Sequence, residues 1–196
     1  RLHCAGRTDA GVHATAQVAH FDTFSVRPLS SWIRGVNSQL RSPVVVRWAV
    51  VVDDGFHARF LACGRRYRYI LHNHPVRPAL LAGRVGWFHV PLDAGPMHEA
   101  ARALVGRHEF SAFRAAGCQA KNPVKIMHDA SVRREGEYIV FDFHAGAFLH
   151  HMVRNLVGAL VYVGKGYYPP AWLAEVLASR DRTLAAPTFP ADGLYL

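Results

Sequence analysis

The sequence predicts an α+β fold, and three observations carry that expectation. Two β-rich runs, residues 124–133 and 138–145, flank Arg134-Glu135-Gly136-Glu137 and read as a hairpin. The longest helical pattern of the chain, residues 148–163, follows directly. Further strand and helix signals are mixed along the chain, which argues against a strict parallel α/β architecture.

Each element has its local reason. Thr8-Asp9-Ala10-Gly11 has the composition of a turn, because Asp and Gly favour turns for backbone reasons. Gln17-Val18-Ala19-His20-Phe21 alternates as a half-buried strand does. Asp9 is therefore expected on a loop feeding a sheet, with its side chain accessible to a ligand. Residues 30–40 read as a short helix with a serine cap, following Pro28. The β-branched run 44–52 predicts a central strand, and Asp53-Asp54-Gly55 a turn after it. Residues 67–72 alternate as a strand, which places Tyr67 and Tyr69 on one face. A helix is expected over 97–105, then a loop rich in Gly, Ala and Arg through Asn122-Pro123. The last helix, 170–177, starts at a proline, whose fixed φ suits a first turn.

Composition narrows the classes of function. The chain of 196 residues is 51% hydrophobic, enough for a real core in one large domain or two small ones. Its net charge is +9, from 23 Lys plus Arg against 14 Asp plus Glu, with a pI near 10.0. Such a surplus suits a polyanion, either nucleic acid or an anionic membrane surface. No run of about 18 apolar residues is present to span a bilayer. Arg1-Leu2-His3-Cys4 lacks the apolar core of a signal peptide. A cytoplasmic nucleic-acid binder is the expectation, without a membrane partner.

Cys4, Cys63 and Cys118 form no CxxC pair, and reduced thiols are the simple interpretation. Among 13 histidines, His150-His151 is adjacent rather than spaced by four, and His72-Asn73-His74 lies in a strand-like stretch. Neither carries the Cys or carboxylate spacing of a zinc site, so no metal is expected. Nor is there a P-loop or GxGxxG fingerprint, so no nucleotide cofactor is expected.

One residue breaks the pattern of the longest helix. Arg154 sits amid Met152, Val153, Leu156, Val157, Leu160 and Val161. A helix apolar on nearly every side is buried. A buried guanidinium needs a partner, unless it snorkels outward along its apolar stem.

The run GRTDAGVHATAQVAHFDT, which contains Asp9, resembles the signature of the tRNA pseudouridine synthases of the TruA family. Further matches follow in order: FHARF at 56–60, RRYRYILHNH at 65–74, FLHHMVRNLVG at 148–158, and the closing DRTLAAPTFPADGLYL. The resemblance covers nearly the whole chain. It implies two ferredoxin-like lobes whose mixed, mainly antiparallel sheets join around a basic catalytic cleft. An N-terminal lobe over 1–58 would carry the Asp9 loop, and a C-terminal lobe would run over 59–196. The implied reaction is isomerisation of uridines at nucleotides 38, 39 and 40 of the tRNA anticodon stem-loop, by a homodimer, without cofactor.

By the same resemblance Asp9 is the nucleophile and Arg154 its ion-pair partner. Tyr67 stacks on the target base, and Leu194 lines the uracil pocket. Such a pairing makes chemical sense, since an adjacent guanidinium favours an ionised carboxylate, the form a nucleophile needs. A lone catalytic carboxylate also suits isomerisation better than glycoside hydrolysis, which usually needs two. Arg7 and Arg59 are the leading RNA-facing cations, with Lys121 a weaker one. Relatives carry a stretch before the catalytic motif that this chain does not show, so an inactive fragment is one alternative. A protein that grips structured RNA without chemistry is the other.

Overall fold

The computed structural model describes all 196 residues, and they group into two compact units. The smaller comprises residues 1–5 and 18–62, and the larger residues 6–17 and 63–196. The Asp9 segment therefore belongs to the larger unit.

In the smaller unit, strand β1 (His3–Cys4) pairs antiparallel with β2 (Ala19–His20). The half-buried strand expected over 17–21 is thus only two residues long. Helix α1 (Leu29–Gln39) follows Pro28, which occupies the capping position without a side-chain hydrogen bond. The serine cap expected there is not made, and the helix starts one residue earlier. Asn37 on α1 anchors the next segment by donating to the Val46 carbonyl at 2.9 Å and accepting from its amide at 2.7 Å. That segment, 44–52, is not a strand. Most of its apolar side chains are exposed, Val51 by 81% and Trp48 by 60%. β-branched residues favour a strand only where a neighbouring strand supplies the ladder and the cross-strand contacts. No strand pairs with this run.

The larger unit is a six-stranded sheet with helices packed on it. Its strands are β3 (Arg65–Asn73), β4 (Gly86–Phe88), β5 (Gly106–Glu109), β6 (Val124–Glu135), β7 (Tyr138–Ala145) and β8 (Leu194–Tyr195). The order is β4-β3-β7-β6-β5, with β8 beside β4 on the free side of β3. Only β3 and β4 run parallel, so the sheet is mixed and mainly antiparallel. The hairpin turns at Gly136, whose φ of 61° is one that glycine adopts without steric cost.

Helix α2 (Ala94–Arg102) is capped by Asp93, whose carboxylate accepts from the Gly95 amide at 2.9 Å. That cap starts the helix three residues before the apolar pattern that announced it. Helix α3 (Met152–Gly164) begins only after His151, and α4 (Ala171–Ser179) follows Pro170. The α3 side chains Leu156, Val157 and Leu160 are buried in one core with Met97 of α2 and Tyr69, Leu71, Phe141 and Phe143 of the sheet. Each such side chain contributes about 1.5–3 kcal/mol by leaving water. The other face of the sheet carries an ionic cluster, in which Asp142 accepts a 2.7 Å bond from Arg68 Nε and a second from Arg133. No helix is long and apolar enough to cross a membrane.

Candidate active site

Asp9 stands on a tight turn. The Val12 amide donates to the Asp9 carbonyl at 3.0 Å, and Gly11 takes φ 81°, the left-handed conformation that a Cβ would strain. The base of this loop is closed by Gln17, which accepts from the Gly6 amide at 3.2 Å and donates to its carbonyl at 2.9 Å. Its far side is zipped to the end of the chain. His13 donates to the Leu194 carbonyl at 2.8 Å, and Leu196 donates back to the His13 carbonyl at 3.0 Å. Since β8 also pairs with β3, the Asp9 loop, Leu194 and the strand of Tyr67 are held in one assembly.

Close approach at Gly193 makes this assembly possible. A Cβ there would meet the Ile70 carbonyl oxygen and, at 2.6 Å, the Gly86 nitrogen. Only glycine lets β8 settle beside both β3 and β4.

The start of α3 supplies the other wall. His151 has φ 58°, left-handed and uncommon for a residue with a side chain. Successive side chains of an extended backbone point to opposite sides. This turn instead brings the His150 and His151 rings together, with centroids 3.9 Å apart, and directs both at Asp9. His150 Nε2 lies 3.5 Å from Asp9 Oδ1, and His151 Nε2 lies 3.2 Å from Asp9 Oδ2. The Asp9 side chain stays 37% exposed, so a ligand can reach it. Behind His150, its amide donates to the buried Cys118 sulfur at 3.4 Å.

Burial and neighbouring charges shift the ionisation of this group. Burial raises the Tyr67 phenol above its ordinary pKa, and the Asp9 charge adds to that shift while Arg65 opposes it. The half-buried Tyr67 ring meets Phe148 edge-on, with centroids 5.0 Å apart. Burial also holds His151 below the usual imidazole range, assisted by the charges of His150 and Arg154 and opposed by Asp9.

The residues singled out in the sequence divide into those the fold gathers and those it leaves on the surface. Asp9 and Tyr67 lie within electrostatic reach of each other, and Leu194 is buried opposite Tyr69 in the same assembly. Arg154 is half-buried at the same end of α3, yet its hydrogen-bond partner is not the carboxylate. Its Nε donates to the Phe189 carbonyl at 2.7 Å, and the Phe189 amide donates back to the Arg154 carbonyl at 3.2 Å. The carbonyl satisfies the Nε hydrogen as an acceptor, without the opposite charge that a carboxylate would bring. Arg7 is exposed two residues before Asp9, and Lys121 is exposed on the loop before β6. Arg59 is exposed in the smaller unit, within a turn where its amide and that of Phe60 donate to His57 Nδ1.

The pair the sequence did not assign to Asp9 is His150-His151. Its adjacency argued against a metal, and its carboxylate stands far earlier in the chain. The three together place one possible ligand atom each within 4.8 Å of the others.

The chain is similar to known proteins. A family model described as tRNA pseudouridine synthase matches residues 100–196. A tRNA pseudouridine synthase A of Aromatoleum aromaticum is 78% identical over all of this chain and 74% of its own length. Enzymes of the same name from Dechloromonas aromatica and Thiobacillus denitrificans are 65% and 64% identical over 98% of the chain. The chain covers 73% and 74% of those two relatives.

Proposed function

The chain belongs to the tRNA pseudouridine synthase family, and from that premise we propose that it isomerises uridine to pseudouridine in tRNA with Asp9 as its nucleophile. The single observation that carries the assignment of the site is the part-exposed Asp9 carboxylate on its Gly11 turn, faced by His150 and His151, with Tyr67 within reach of its charge.

The reaction breaks the bond between uracil nitrogen 1 and the ribose anomeric carbon. It then joins that carbon to uracil carbon 5, which loses a proton while nitrogen 1 gains one. Atoms and charge balance without an external reactant. Attack on the sugar, attack on the base and removal of a ribose proton each begin from an ionised carboxylate, and Asp9 supplies it. Arg154 pairs with Asp9 in the tRNA-bound enzyme. In support, only its Nε is engaged, and its charge already acts on His151 beside the carboxylate.

Tyr67 stacks on the extruded uracil, a contact worth about 1–3 kcal/mol, which offsets much of the cost of unstacking the base. Leu194 closes the apolar side of the uracil pocket. Arg7, Arg59 and Lys121 meet phosphates as part of a net charge of +9. The substrates are the uridines at nucleotides 38, 39 and 40 of the anticodon stem-loop. The enzyme acts in the cytoplasm as a homodimer of subunits with two ferredoxin-like lobes, one tRNA touching both subunits. These details rest on the TruA-like motifs.

Incubating the protein with unmodified tRNA and mapping pseudouridine by sequencing tests this reading. Product at nucleotides 38, 39 and 40 is expected. Salt-sensitive tRNA binding with no product at any uridine would overturn it in favour of a binding role.

A further inference from the structure

The side chains around the nucleophile also fit a chemistry that isomerisation does not use. Asp9, His150 and His151 hold their possible ligand atoms within 4.8 Å of one another, with nitrogen–oxygen separations of 3.5 and 3.2 Å. In a tetrahedral zinc site with bonds of about 2.0–2.1 Å, two ligand atoms stand about 3.3–3.4 Å apart. The two contacts are to different carboxylate oxygens, so each ring flanks one oxygen, and a small ring shift brings both imidazoles onto an ion held by a single oxygen. The left-handed backbone at His151 makes two adjacent imidazoles converge, which an extended chain could not do. With both rings neutral the group carries one negative charge, and its partial exposure leaves room for a water or another ligand in the fourth position.

Two imidazoles and one carboxylate suit a borderline transition ion. Magnesium and calcium prefer shells built of oxygen. We infer that Asp9, His150 and His151 form a binding site for a divalent transition ion such as Zn2+, and that the ion inhibits the enzyme by occupying the Asp9 carboxylate. The inhibitory half rests on the proposed function; the binding half does not.

The test uses Co2+ as a visible probe on EDTA-treated protein. The parent is expected to bind one more equivalent, with the absorption of a tetrahedral site, than either His151→Ala or Asp9→Asn. The exposed Cys4 and Cys63 can take metal as well, so the reading is this difference. X-ray absorption on the parent loaded with one equivalent of Zn2+ needs no variant and is expected to show nitrogen and oxygen neighbours. Identical titrations in parent and variants, or sulfur in the zinc shell, would overturn the site.

Activity separates the two halves. Isomerisation is expected to fall at least about tenfold when Zn2+ fills the site and to return with EDTA, since the nucleophile is lost to the metal. An active enzyme indifferent to bound Zn2+ would overturn the inhibition. A protein that binds the ion as described but makes no pseudouridine in EDTA would instead sink the proposed function.

Discussion

At its first turn, helix α3 starts from a histidine in left-handed backbone, with a ring 28% exposed and 3.2 Å from a carboxylate. A turn further on, the same helix is dry and closely packed. Asn155 is fully buried, and Gly158 lies so close to the 187–189 segment that a Cβ would meet the Pro187 carbonyl oxygen. The first region carries strain and solvent exposure, both costs to stability and both features of sites that bind. The second carries contacts that hold the fold. Arg154 lies between them, on the helix that faces Asp9 yet tied to Phe189. Activity and stability should therefore separate along one helix.

The comparison breaks most visibly in the packed region. Gly158→Ala should cost up to about 3 kcal/mol, because the segment that must give way is backbone rather than a mobile side chain. Urea denaturation measures this, and a loss below about 0.5 kcal/mol, the range of ordinary surface changes, would show that the contact gives freely.

Asn155→Ala should cost about 2 kcal/mol by leaving buried groups unpaired. Its amide donates to the Phe113 carbonyl at 2.8 Å, and its oxygen accepts from Thr188 at 2.6 Å and Arg182 at 3.2 Å. The same denaturation series reports it, and pseudouridine formation by the folded fraction should be little changed.

At the site end the signs exchange. Tyr67→Leu should lower kcat/KM about 10–100-fold, the loss of one base-stacking contact, while Tyr67→Phe keeps most of the rate. Equal losses in both variants would show that the hydroxyl, not the ring, matters. The smallest effect is a pH dependence. The folded protein holds His151 below the ordinary imidazole value of 6.5, chiefly by burial. Below pH 6.5 the unfolded chain binds a proton that the folded one resists, so this residue's contribution to stability falls as pH drops. Melting temperatures at pH 7.5 and 5.5 should converge slightly in His151→Gln relative to the parent.

What could be read from the sequence follows the same division between local and distant causes. The 124–145 hairpin, the strand of Tyr67 and the Asp9 turn are written in neighbouring residues, through alternation and a glycine at the bend. The 44–52 run carries equally strong β-branched signals and is no strand, because a strand is a pairing and no partner is specified within the run. His150 and His151 became partners of Asp9 only when a left-handed turn aimed both rings at a loop from the far end of the chain. Arg154 illustrates a further limit. Its need for an acceptor was legible, but the acceptor is a backbone carbonyl, a group that every residue carries and no sequence pattern marks.

Pseudouridine formation in unmodified tRNA by Asp9→Asn, measured beside its melting temperature and tRNA affinity, tests the central claim most directly. Product formation should fall by at least about 10⁴-fold, as when a side chain that acts directly on the reacting atoms is removed from other enzymes. Melting temperature and affinity should stay close to those of the parent, because the carboxylate is 37% exposed and sits in no core. A folded Asp9→Asn protein that still isomerises uridine within tenfold of the parent rate would contradict the account.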